Sequence, residues 1–164
     1  LSLLELAAGK FTALVQRSVP RDAFDAVNLL RLVPGLLEDA DFRLAFVCSI
    51  AGGRHDPRSL SPTDPAPGVP AVKQQLIPML QQGGNRPPPD PEELREEIGR
   101  ELEGVSNRLL DWSPDERRFL DRLHDDGEVD AEALHTDLTV QERIRAQPML
   151  LWKAQNVREH SGRN

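Results

Sequence analysis

The chain has 164 residues, a net charge of −7, one cysteine, no tyrosine and 4% aromatic residues. That length can bury a core without disulfide or metal staples, and a lone cysteine excludes an internal disulfide, which suits a reducing cytosol. The negative field excludes nucleic acid from all but a local basic patch, and so few aromatics argue against a stacking platform for single-stranded bases.

No apolar run approaches the roughly 20 residues that a membrane span needs. The start, Leu1-Ser2-Leu3-Leu4-Glu5, lacks the basic stretch of a signal peptide. It opens on a helical pattern without a methionine, as a cytoplasmic chain beginning mid-protein would.

In chain order the pattern is helical throughout, with no strand alternation. The first helix is expected from Leu3 to Arg17, opened by the capping box Ser2 to Glu5 and closed by Ser18-Val19-Pro20. A second is expected from Arg21 to Val33, stopped by Pro34-Gly35, and a third from Asp41 to Ala51, with Gly52-Gly53 as a left-handed exit. Arg54 to Gly68, rich in proline, serine and aspartate, reads as a mobile loop. Val69 to Gln82 reads as a helix kinked or split at Pro78.

Gly83 to Pro89 reads as a linker, which divides the chain into residues 1–82, a linker at 83–90 and a helical subdomain at 91–164. Pro91 to Leu110 reads as one amphipathic helix with Leu94, Ile98, Leu102, Val105 and Leu109 inward and a Glu96–Arg100 pair outside. Ser113 to Glu116 is a second capping box, and its helix carries Phe119, Leu120 and Leu123 inward and ends near Gly127. Shorter helices are expected over Asp130–Leu134, Val140–Ala146 and Met149–Arg158. The fold class is therefore all-α, a multi-helix bundle.

The chemistry-bearing residues concentrate early. On the first helix Ser2, Glu5, Gly9, Thr12 and Gln16 form a polar stripe expected to face solvent. Lys10 and Arg17 lie on the opposite side, within roughly 20° of each other at about 100° per residue, among Leu3, Leu6, Ala7, Ala13 and Leu14. A cation in an apolar sector needs an anionic partner, either protein carboxylate or bound phosphate. Asp22 and Asp25 stand one turn apart at the start of the next helix, and a tight turn at Pro20 brings them back toward Lys10 and Arg17. A lysine with an arginine suits a triphosphate, and an aspartate suits a metal or a proton taken from a hydroxyl. The plainer account is a dipole-favoured Asp22, a snorkelling Lys10 and an Arg17–Asp25 bridge between helices.

Elsewhere Cys48, in an apolar run, reads as a buried small hydrophobe. His124-Asp125-Asp126 reads as a helix end rather than a metal cluster, with the histidine complementing the dipole. Trp112 and Trp152 read as core or interface anchors. Lys153, Arg158, His160 and Arg163 make a modest basic end.

The stretch Leu6-Ala7-Ala8-Gly9-Lys10-Phe11-Thr12-Ala13-Leu14, then Arg17, then Pro20-Arg21-Asp22-Ala23-Phe24-Asp25, resembles the later motifs of AbiEii-type nucleotidyltransferase toxins of bacterial toxin–antitoxin and phage-abortive systems. Phe119-Leu120, Gly127-Glu128-Val129, Leu134 and Pro148-Met149-Leu150-Leu151-Trp152-Lys153-Ala154-Gln155-Asn156-Val157 are similar to that family's closing segment. The resemblance implies the helical C-terminal portion of a larger α/β nucleotidyltransferase. It implies transfer of a nucleotide from a nucleoside triphosphate to an acceptor such as a tRNA 3′ end, with an antitoxin as partner. Lys10 would then hold the triphosphate, Asp25 with Asp22 would orient the attacking hydroxyl or act as base, and Arg17 and Arg21 would assist at phosphates.

The family's N-terminal core carries a Gly-Ser phosphate loop and an Asp-x-Asp magnesium pair, and nothing in this sequence matches either. Mg2+ and the triphosphate thus belong to the complete protein, and the chain alone is expected to bind neither and to show little or no transfer. The alternative is a catalytically incomplete helical module that binds an antitoxin or RNA.

Overall fold

A computed structural model of the protein describes residues 2–82, 84 and 86–162. The described residues form helices, turns and loops without a strand. Helix α1 (Leu3–Arg17) starts at the Ser2 capping box, with both reciprocal hydrogen bonds present. It ends at Ser18, a non-glycine residue at φ +52°, so that the chain reverses just before Pro20. Helix α2 (Pro20–Leu32) begins on that proline and runs back along α1.

Helix α3 (Ala40–Ala51), capped by Asp39, is buried on opposite sides. Its Phe42, Phe46 and Ile50 enter one core, and its Val47, Cys48 and Ala51 enter a second. A helix apolar nearly all round must be covered nearly all round, and this one is the shared wall of two cores. The Gly52–Gly53 exit is not left-handed, because Gly52 has φ −76°. Its need is close approach: a Cβ on Gly52 would lie 2.9 Å from the Cβ of Met149.

The segment from 54 to 68, read as mobile, is anchored instead. Pro57, Pro65 and Pro67 are buried, the Thr63 N–H donates to Ser106 Oγ, and Arg58 is held by carboxylates. The next helical stretch is split as its proline demands. Helix α4 (Val69–Ala71) runs into a π turn (Val72–Leu76) and then α5 (Ile77–Gln81). Pro78 has no N–H to give and its ring crowds the carbonyl of residue 74; the wider turn just ahead accommodates both.

Part of the linker, Gly83 and Asn85, lies outside the described residues. The single helix expected from Pro91 to Leu110 is two: α6 (Pro91–Glu101) and α7 (Val105–Leu109), broken at Gly104 with φ +72°. Leu94, Ile98, Leu102, Val105 and Leu109 are nevertheless all buried, and they join the core of α1–α3. Packing therefore carries the first core past the linker to about Leu110, whereas the sequence division placed these residues in the second subdomain. The expected Glu96–Arg100 pair does not close; Arg31 of α2 bonds Glu97 and Glu101 instead.

Helix α8 (Pro114–Asp121) opens on the Ser113–Glu116 capping box and runs into a π turn (Arg122–Asp126) closed by Gly127 at φ +68°. The expected helix at 130–134 is a single 3-10 turn, Ala131–Ala133. Helices α9 (Leu138–Arg145) and α10 (Pro148–Ser161) complete the second core with Ile144, Leu150 and Ala154.

Candidate functional site

Helices α1 and α2 are joined by only Ser18 and Val19, so they pack side by side and bring the predicted residues together. Lys10 Nζ donates to Asp25 Oδ2 at 2.7 Å, and Arg17 Nη2 donates to Asp22 Oδ1 at 3.1 Å. The pairing differs from the Arg17–Asp25 bridge of the plainer account: Arg17, at the end of α1, meets the first turn of α2, and Lys10 meets the next turn.

The burial is uneven. The Lys10 side chain is 35% exposed and the Arg17 side chain 62%, so Arg17 leaves the apolar sector for solvent. Leu3 and Leu6 are likewise exposed, at 47% and 44%. The buried arc of α1 is instead Ala7, Ala8, Phe11, Thr12 and Leu14. This turns the lower polar stripe inward: Thr12 is buried and its Oγ1 bonds Ser49 Oγ at 3.0 Å, while a Cβ on Gly53 would meet Gln16 Nε2 at 2.8 Å. Ser2, Glu5 and Gly9 do face solvent.

Asp22 is the most constrained member, with its side chain 6% exposed. One of its oxygens accepts from Arg17; the other, Oδ2, is buried without a partner. A buried carboxylate oxygen lacking a donor is costly, and the positive end of α2 offsets part of that cost. Arg21 is exposed beside it. Lys10, Arg17 and Arg21 reach solvent while Asp22 does not, and clefts of about 640 and 260 Å³ are lined by other residues, such as Arg95, Arg100 and Asn107 in the larger and Arg43, Arg108 and Glu116 in the smaller.

Among the described residues no group of three or more His, Cys, Asp or Glu side chains is arranged to hold a metal ion, His124, Asp125 and Asp126 included. No described helix is long and apolar enough to cross a membrane. Of the basic end, Arg158 Nη1 donates to the Gly127 carbonyl at 2.8 Å and so serves the fold, while Lys153 Nζ lies 3.5 Å from the Arg54 carbonyl; Arg163 lies outside the described residues. Trp112 stacks on Phe46 in the core, whereas Trp152 is exposed.

Burial pushes the Cys48 thiol up to about 12, against a weaker pull from the Gln147 side chain. A protonated, enclosed thiol is a poor nucleophile. Native chain is therefore expected to react with a thiol-specific disulfide reagent at least about a hundredfold more slowly than urea-unfolded chain. Equal rates would show that the second core does not enclose Cys48.

Two polar clusters gave no local sequence signal. Arg43 reaches Glu116 and the carbonyls of Leu109 and Asp111, linking α3 to the region between α7 and α8. Arg58, 17% exposed, gathers Asp56, Asp121 and Asp125 at 2.7–2.8 Å. His124 beside them departs from its reading as a dipole-complementing cation, because burial lowers its proton affinity. No family model, no curated protein and no solved structure matches this chain.

Proposed function

We propose that this chain is the helical portion of a nucleotidyltransferase of the AbiEii toxin type, completing a site whose metal-binding half lies outside it. The observation that supports this reading is the meeting of the part-exposed Lys10 with Asp25, and of the exposed Arg17 with the buried Asp22, across the α1–α2 seam beside the exposed Arg21. Lys10 uses one ammonium N–H on Asp25 and retains others for a phosphate oxygen. In this reading Asp25, ion-paired to Lys10, accepts a proton from an acceptor hydroxyl such as a tRNA 3′ end. Arg17 and Arg21, both exposed, add positive charge for the triphosphate. Magnesium would bring charge neutralisation for the transfer, and in this reading the Asp-x-Asp pair of the complete protein holds it.

The test is Lys10→Ala in the complete protein carrying that pair. The pair Lys10–Asp25 is partly exposed and contributes about 0–1 kcal/mol, so the variant is expected to stay folded and to lose nucleotide transfer and toxicity together. A folded variant that still transfers nucleotide would remove Lys10 from the reaction. The isolated chain is expected to show no turnover of any nucleoside triphosphate with magnesium, and turnover there would overturn the incomplete-site reading.

A second reading, a module that docks an antitoxin protein or RNA, is favoured by one feature: Met149, Leu151 and Trp152 on α10 are each at least half exposed. Large apolar side chains exposed close together mark contact surfaces.

A further inference from the structure

His124 sits where four segments meet: the end of α3, the anchored segment after it, the π turn that carries His124, and α10. Its Nε2 is buried and has no hydrogen-bond partner. In the neutral ring that nitrogen can be the bare acceptor, which is the cheaper orphan. In the imidazolium both nitrogens must donate, and Nε2 would then bring a buried N–H with nothing to receive it.

The charges around the ring do not compensate. From the segment after α3, Asp56 attracts a proton and Arg58 repels one; from α10, Lys153 repels; from α3, only the Ala51 carbonyl favours protonation. On the turn that carries His124, Asp125 and the preceding Asp121 are already bonded to Arg58. Lys153 also lies at this junction, with its Nζ 3.5 Å from the Arg54 carbonyl oxygen.

We propose that His124 is an acid-operated latch: when its ring takes up a proton, the junction between the end of α3, the Arg54–Ser59 segment and α10 opens. The sign follows from burial, which leads the other influences and lowers the proton affinity of the folded ring below the ordinary value of 6.5. The latch is fully closed above that value. As pH falls below it the open state binds the proton first, and closure weakens by up to about tenfold per pH unit until the closed ring also protonates.

The test is hydrogen exchange of the full chain at pH 7.4 and 5.5, corrected for intrinsic rates, together with an NMR titration of the His124 ring. Protection over residues 52–60 is expected to drop on acidification, by at most about tenfold, and to hold steady in His124→Gln. Unchanged protection in the native chain overturns the latch. An equal drop in His124→Gln also overturns it and assigns the effect to the Asp56, Asp121 and Asp125 carboxylates. If His124→Gln does not fold, the titration decides alone. A ring midpoint below 6.5, tracked by the amide shifts of residues 52–60, supports the latch; a midpoint at or above 6.5 overturns it.

Discussion

Arg43→Ala is expected to destabilise the protein by about 2–4 kcal/mol, a large share of the roughly 5–15 kcal/mol that holds a domain folded. The guanidinium is 23% exposed and its partner Glu116 only 14%, so solvent screens the pair weakly. Nε and Nη2 form a fork on the two carboxylate oxygens, both at 2.7 Å, while Nη1 reaches the Leu109 carbonyl at 2.8 Å and Nη2 the Asp111 carbonyl at 3.0 Å. The same group lies 5.7 Å from the ring centre of Phe46 and 5.3 Å from that of Trp112.

Truncation would strand a partly buried carboxylate and two carbonyls and would unstack the seam between the cores. Lysine cannot make the fork, so Arg43→Lys should recover little of the loss. Burial would raise the Glu116 carboxyl, but Arg43 and the Ser113 cap outweigh it and hold it below its ordinary value of 4.5. That contribution is present above 4.5 and fades as pH falls through the native value, so the deficit of Arg43→Ala should shrink in acid. Urea unfolding at pH 7 and pH 4 reads both effects. A loss under about 1 kcal/mol at pH 7 would mean that the contact is ornamental.

Gly127→Ala is expected to cost about 2–4 kcal/mol by a different route. Gly127 closes the π turn at φ +68°, and a Cβ there would lie 2.6 Å from the Ala154 carbonyl oxygen and 2.7 Å from Arg158 Cγ. The Arg158 side chain can move, but the carbonyl belongs to the backbone of α10 and would have to shift with the helix. Gly104 supplies the control. It has φ +72° with nothing within 4 Å of an added Cβ, so Gly104→Ala should carry only the left-handed penalty of about 1–2 kcal/mol. Equal losses in the two variants would show that α10 is not seated closely on this turn.

Much of the architecture was legible because it is set locally. The capping boxes at Ser2 and Ser113 fix helix starts through hydrogen bonds three residues apart. The row from Leu94 to Leu109 repeats at helical spacing and is buried, though Gly104 divides its helix. The convergence of Lys10 and Asp25 was readable because Ser18-Val19 is too short a connection to let α1 and α2 separate. Each of these depends on chain geometry over a few residues, which a sequence states directly.

The tertiary structure alone decided the rest. Periodicity shows that Thr12 and Gln16 share a face with Ser2 and Glu5, but only the docking of α3 decides which part of that face is covered. Arg43 and Glu116 are 73 residues apart, and Arg58 and Asp125 are 67 apart, so no spacing rule links them. Gly52 is small because of Met149, and His124 Nε2 is enclosed beside groups as far away in sequence as Ala51, Asp56 and Lys153. The division into cores follows the two faces of α3 rather than the proline-rich linker. A linker records where the backbone is extended, whereas a core boundary is set by which apolar faces meet, and that depends on contacts no local pattern encodes.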